Sequence, residues 1–248
     1  MSHIFPLPSD LPEFLSPYLP KSVEAKPFVT LTYAQSLDSK IAAKPGTRTA
    51  ISHLETKTMT HYLRSVHDGI LIGSGTVLAD DPGLNCRFKE NGNINTPRPI
   101  ILDPSFKWDY KGSKLELLVS RNESLKPWII INDDSNDNIK EKIQYVENSG
   151  GRIIKIARNS DGKIKWEDIL KTLHRLRIKS LMIEGGAKII NDLLERDDLV
   201  NSLIVTIGPT FLGQQGVDVS PLELVKLENT QWWTGTQDVI LAANLQHN

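Results

Sequence analysis

From Pro27 onward, short apolar runs alternate with stretches of helical periodicity, the pattern of a mostly parallel sheet flanked by helices. It predicts strands at Phe28–Tyr33, Gly69–Ile72, Pro99–Leu102, Leu115–Val119, Trp128–Ile131, Arg152–Ile156, Ser180–Ile183 and Leu203–Ile207. Ser52-His53-Leu54-Glu55 has the S-x-x-E form of a capping box and predicts a helix running to about His67. Trp166, Ile169, Leu170, Leu173 and Leu176 fall on one face of a second helix, and further helices are expected at Ile139–Asn148 and Ala187–Arg196. The polar stretch Asn132–Asn138 reads as a surface loop, so residues 27–248 form one α/β domain.

Residues 1–26 differ from the rest. Pro6, Pro8, Pro12, Pro17 and Pro20 fix φ and remove backbone donors, so no regular structure is expected before Pro27. Phe5, Leu7, Leu11, Phe14, Leu15 and Tyr18 make this an apolar arm, suited to packing across the body or onto a second subunit. Near the other end, the Trp232-Trp233 pair is expected to supply core or interface, with core the default.

Composition narrows the function. With 29 basic and 30 acidic residues the net charge is -1, so no whole-chain field gathers nucleic acid or an anionic membrane. Six scattered histidines and the single cysteine, Cys86, offer no CxxC or HxxxH spacing, which argues against a metal centre and an internal disulfide. No apolar run approaches the roughly 18 to 20 residues of a membrane span, and a proline-broken N-terminus is unlike a signal peptide. A cytoplasmic protein is expected.

Ile183-Glu184-Gly185-Gly186-Ala187 joins an expected strand to an expected helix. Tight α/β turns use glycine in any case, but this placement also lets phosphate approach a helix N-terminus, with Glu184 at the strand's carboxyl end where ligands of open sheets bind. Gly69 to Pro82 repeats the strand, glycine turn and short helix. Gly73-x-Gly75 lacks a third glycine, so it is no Rossmann fingerprint. Thr76 and Asp80 serve either as caps or as two hydrogen-bonding groups on one helix face. Lys40, Arg48, Arg64 and Arg87 are isolated cations in sequence, and only convergence in the fold gives them a shared role.

Taken together, Ala34-Gln35-Ser36-Leu37-Asp38-Ser39-Lys40-Ile41-Ala42, Leu63-Arg64, the Gly73–Arg87 run, Ile183–Ala187 and Gly208-Pro209-Thr210-Phe211-Leu212-Gly213 resemble, in order, the reductases of the riboflavin pathway. The likeness spans roughly Pro27 to the C-terminus and is to the free-standing reductases that act before the pyrimidine ring is deaminated. The zinc-deaminase signature of the bifunctional relatives, H-x-E with P-C-x-x-C, is missing. The resemblance implies a dihydrofolate-reductase-like fold, mostly parallel with antiparallel strands toward the C-terminus, and a homodimer. It implies NADPH as hydride donor, a phosphorylated aminopyrimidine as substrate, and neither flavin nor metal. By the family's pattern Thr76, Asp80, Ile156 and the Glu184-Gly185-Gly186-Ala187 turn hold NADPH, while Arg64, Leu84, Arg87 and Glu184 line the substrate site. Lys40 is the candidate for protonating or polarising the reacting sugar end, with Glu184 the second catalytic candidate.

Two departures matter. Relatives have glycine where this chain has Ser39, so the turn before Lys40 is expected to avoid glycine-only geometry. Relatives fused to deaminases carry Ser-Gln-Trp where this chain has Arg48-Thr49-Ala50, which assigns Arg48 to the substrate phosphate. From position alone, Arg158 is assigned to the adenosine 2′-phosphate. Alternatives from the same residues are a dihydrofolate reductase, a non-catalytic nucleotide-binding module, and an interaction protein working through its arm.

Overall fold

The computed structural model describes residues 4–133 and 139–246. Its strands are β1 Phe28–Gln35, β2 Lys40–Ala42, β3 Gly69–Gly73, β4 Arg98–Leu102, β5 Trp128–Asn132, β6 Arg152–Ile156, β7 Ser180–Gly185, β8 Ser202–Ile207, β9 Val217–Asp218, β10 Leu227–Thr234 and β11 Val239–Leu245. The helices are α1 Leu11–Leu15, α2 Leu54–Ser65, α3 Ser74–Asp80, α4 Lys114–Ser120, α5 Lys140–Asn148, α6 Trp166–Arg175 and α7 Ala187–Leu194. A nine-stranded sheet runs β10-β11-β8-β1-β7-β3-β4-β5-β6, and β2 pairs with β9 beside it. Every neighbour from β8 to β6 is parallel, whereas β11 runs antiparallel to both β8 and β10. The expected α/β class, with a mostly parallel sheet and antiparallel C-terminal strands, is what the chain adopts.

Alternate residues of each buried strand serve opposite faces. Val29, Leu31, Leu71, Ile100, Ile130, Leu181 and Ile183 pack under α6 and α7 with Ile169, Leu173, Ile190 and Leu193. On the other face Ile70, Ile72, Ile101, Ile129 and Ile131 meet α3, α4 and α5. Met182, Ile204, Ile240 and Ala242 complete that face against Met59 and Leu63 of α2 and against Leu11, Leu15 and Tyr18. The arm thus lies on its own chain's sheet. It also contains a helix that its prolines were expected to forbid: Pro12 lies in the first turn of α1, where a missing N–H costs nothing, and Pro17 does the same for the 3₁₀ turn Ser16–Tyr18.

Leu115–Val119 is α4, not a strand. Ser113 Oγ accepts from the Glu116 amide at 3.1 Å and starts a helix that buries only Leu115, leaving Leu117 exposed; so short a mostly apolar segment does not reveal this by periodicity. The capping box is also different from its reading. His53, not Ser52, is the N-cap of α2, its Nδ1 accepting from the Glu55 amide at 3.4 Å. Glu55 instead accepts from the Thr236 amide, and Asp238 from the His53 amide, so the turn between β10 and β11 finishes this helix end. The helix stops at Ser65. Trp233 is buried while Trp232, on the opposite face of β10, is 58% exposed, so the pair divides between core and surface. Most of the expected Asn132–Asn138 loop, residues 134–138, lies outside the described residues, and Asn132 itself ends β5.

Candidate functional site

A cleft of about 2660 Å³ crosses the carboxyl ends of β1, β3, β4, β7 and β8, where open α/β sheets bind ligands. Arg48, Arg64, Thr76, Asp80, Leu84, Arg87, Arg158, Glu184, Gly186 and Ala187 all line it. Cations 110 positions apart in the chain, Arg48 and Arg158 among them, are therefore on one surface.

Glu184 reaches the cleft because β7 is irregular there. Leu71 of β3 pairs with Ile183 and Ile72 with Gly185, so Glu184 is the extra residue of a bulge, which re-aims its side chain. Arg64 Nε donates to its Oε1 at 2.9 Å and Nη2 to its Oε2 at 2.8 Å, while Nη1 donates to the Asn85 carbonyl at 3.0 Å. The Arg64 guanidinium consequently binds the wall of the site, and Glu184 is engaged on both oxygens.

The glycine turn that follows has the room a phosphate needs. Gly185 lies at φ 97°, and a Cβ there would strike Ile190 Cδ1 at 2.7 Å; the Gly185-Gly186 peptide is cis. A Cβ on Gly186 would fall 3.0 Å from Thr76 Oγ1. Gly186 caps α7 without any side-chain acceptor, so the first amides of α7 face the cleft unclaimed by a cap and suit an anion. Thr76 and Gly186 are therefore close neighbours at the ends of β3 and β7, and these residues fit a nucleotide's phosphates. Burial pushes the Asp80 carboxyl up from its usual range, with Arg48 opposing the shift.

Arg87 faces a residue the sequence did not single out. Its Nε lies 2.9 Å from His61 Nε2 and its amide 3.2 Å from His61 Nδ1. His61 precedes Arg64 by one helical turn on α2, and this spacing was its only signal in the sequence. Burial, then the cations Arg64 and Arg87, push its pKa down to about 3. Leu84, buried in the core beside α3, holds φ 53°, a conformation invisible in the sequence pattern.

Lys40, Ile156 and Gly185 are not among the lining residues. Lys40 on β2 forms an ion pair with Asp218 on β9, its stem lying over Gly216. The turn before it is tied down by Asp38, whose carboxylate accepts from Ser36 Oγ, from the Leu212 amide at 3.0 Å and from the Gly213 amide at 2.7 Å. The Ser36 bond leads these in drawing the Asp38 pKa down to about 2. Ser39 occupies φ 56°, the left-handed well that non-glycine residues enter at a cost, rather than the glycine-only regions.

Residues 27–241 match the RibD C-terminal domain family. The chain belongs to this family of riboflavin-pathway reductases. A Debaryomyces hansenii protein named 2,5-diamino-6-ribosylamino-4(3H)-pyrimidinone 5′-phosphate reductase is 54% identical over 245 residues, covering 98% of this chain and 99% of its own length. The Saccharomyces cerevisiae protein of the same name is 50% identical over 244 residues, 97% of each chain. The solved riboflavin biosynthesis reductase Rib7 of Saccharomyces cerevisiae superimposes with a TM-score of 0.82 at 45% identity, over 96% of this chain and 100% of that one. The reductase is an oxidoreductase of this pathway. Among its described residues no group of His, Cys, Asp and Glu is arranged to hold a metal ion, and no helix is long and apolar enough to cross a membrane.

Proposed function

We propose that this reductase converts 2,5-diamino-6-ribosylamino-4(3H)-pyrimidinone 5′-phosphate to its ribitylamino product, with NADPH as reductant. The observation that carries the reading is one cleft lined both by an uncapped, glycine-lined helix start and by Arg48, Arg64 and Arg87. Such a cleft suits two phosphorylated molecules side by side. Opening of the aminosugar ring gives a C1′=N imine; C1′ gains a hydride and the nitrogen a proton, for a net gain of two hydrogens. Bound NADPH supplies the hydride and leaves as NADP⁺.

The protein's own groups bind, orient and protonate. Thr76, Asp80, Gly186 and Ala187 would hold the cofactor, with Gly185 shaping their turn, Ile156 supporting the sheet from the core, and Arg158 toward the 2′-phosphate. Arg87 and Arg48 meet the substrate's 5′-phosphate, for which a guanidinium offers bidentate geometry. Arg64 orients Glu184, which is placed to accept from the ring's amino groups or the sugar hydroxyls. Leu84 packs against the pyrimidine. The Lys40 ammonium, held by Asp218 outside the cleft, would have to leave that pair to deliver the proton to the imine nitrogen, which would make C1′ a better acceptor.

The enzyme works in the cytoplasm as a homodimer. Support for the dimer comes from Leu37 and Phe211, exposed by 54% and 73% on loops joined by a Leu37 amide to Thr210 carbonyl bond. The test is substrate-dependent loss of reduced nicotinamide absorbance together with a product two hydrogens heavier by mass. NADPH binding without this product would reject the substrate; turnover of dihydrofolate instead would reassign it.

A further inference from the structure

We infer that His61 is a positioning residue, whose ring holds the Arg87 guanidinium at the cleft wall so that the substrate's phosphate meets an already oriented cation. This rests on the assignment of Arg87 to that phosphate. His61 is 4% exposed, yet its ring is a wall of the cleft, and among the described residues the side chain that it meets is Arg87, reached through Nε at 2.9 Å. A neutral imidazole has one acceptor nitrogen. The shorter contact assigns that lone pair to Nε2, which leaves a protonated Nδ1 facing the Arg87 amide 3.2 Å away, a donor against a donor that the Nε bond has to outweigh.

The choice of residue has a chemical logic. Arg64 is held by the carboxylate of Glu184, which neutralises much of its charge. Holding Arg87 through an uncharged ring fixes the plane of its guanidinium without supplying an anion that competes with phosphate. The ring stays uncharged because it is buried between Arg64 and Arg87, and an imidazolium would have no lone pair left to accept from Nε. The neighbouring chain is anchored separately, the Asn85 carbonyl by Arg64 and Cys86 Sγ by the His61 carbonyl, so the ring can be changed while the segment remains tied to α2.

The test compares His61→Leu, His61→Gln and Arg87→Ala in steady-state kinetics with the phosphorylated substrate and with its dephosphorylated counterpart. NADPH affinity and thermal melting establish that each variant is folded. Loss of one hydrogen bond to a charged group predicts that His61→Leu raises KM for the phosphorylated substrate about tenfold. Turnover at saturation stays within about threefold of the parent, since the interaction is made equally in ground and transition states. The dephosphorylated compound shows no KM change, His61→Gln restores most of the loss through its amide oxygen, and His61→Leu adds nothing in an Arg87→Ala background. Equal losses with both compounds, an undiminished His61→Leu effect in the Arg87→Ala background, or a glutamine variant no better than leucine would overturn the inference. If His61→Leu does not fold, the glutamine variant and the Arg87 Nε–H resonance carry the test, a resonance unchanged by His61→Gln counting against it. An Arg87→Ala enzyme with unchanged KM overturns the phosphate assignment itself; an Arg87→Ala loss beside a silent His61→Leu overturns only the role of His61.

Discussion

Arg64 and Glu184 meet side-on, Nε to Oε1 at 2.9 Å and Nη2 to Oε2 at 2.8 Å, and so fasten α2 to the bulge at the end of β7. Their side chains are only 13% and 19% exposed, which puts the pair between the surface and fully buried cases. Glu184→Ala and Arg64→Ala should each destabilise the protein by about 2 kcal/mol, less than for a fully buried pair because water still reaches the survivor. The double variant should fall short of the sum by about 1 kcal/mol or more in a denaturant-based cycle. Strict additivity would mean that the two side chains do not depend on each other. Activity should fall at least about 100-fold in either single variant, since both lose the geometry of the cleft wall.

Lys40 is paired with Asp218, and the two ends of this pair should not behave alike. Lys40→Met removes the proposed proton donor, so single-turnover reduction should slow by about 100-fold or more while NADPH affinity is unchanged. Asp218→Asn keeps the lysine and loses only its anchor, for an expected slowing nearer about fivefold to tenfold. A Lys40→Met enzyme reducing substrate at the parent rate would remove lysine from the proton path.

The elements easiest to read in the sequence were those whose residues answer to local rules. β3 and β7 carry continuous apolar runs because both faces are covered, β1 breaks its run only with the buried Thr30 and Thr32, and the helix carrying Ile169, Leu170 and Leu173 shows one apolar stripe. Leu115–Val119 was misread because four apolar residues around Glu116 satisfy strand and helix alike, and Ser113, which decides the matter, precedes them. Pro12 and Pro17 misled in the opposite way, starting turns rather than preventing them. The cleft's partners were harder still. Lys40 and Asp218 are 178 residues apart and meet only through the pairing of β2 with β9, and the aim of Glu184 depends on a register shift against β3 that no periodicity encodes.

Stability should respond to mild acid through buried histidine. His67 is 1% exposed, with Nδ1 2.6 Å from the Leu63 carbonyl and Nε2 2.8 Å from Thr30 Oγ1, and burial pushes its pKa down to about 4. Between the unfolded value near 6.5 and the folded value, the unfolded chain binds a proton that the folded chain refuses, so stability is full above about pH 6.5 and falls toward pH 4. His67 alone should contribute a loss on the order of 3 kcal/mol, with His61 adding in the same direction. Asp38 plays no part in this window, because its contribution is lost only as pH falls from 3.8 through about 2. Denaturant titrations from pH 8 to pH 4.5 should show a shallower slope for His67→Gln, despite its lower stability at pH 8. An unaltered slope would place the acid sensitivity elsewhere.

On the proposed reading, Arg158 is the cation that meets the 2′-phosphate and so favours NADPH over NADH. It follows the carboxyl end of β6, is exposed, and lines the same cleft as Gly186 and Thr76. A guanidinium pairs with a phosphate through charge-assisted hydrogen bonds worth roughly 1.5–3 kcal/mol, and solvent exposure puts the expectation at the lower end. Arg158→Ala should therefore raise the NADPH dissociation constant about tenfold and leave that of NADH within about twofold. Added salt should narrow the parent's preference, since the contact is screened, and should have little effect on the variant. Equal losses for the two cofactors would mean that Arg158 serves the shared part of the nucleotide or none of it. Lys107 and Lys163, which line the cleft as well, would then be the next positions to replace.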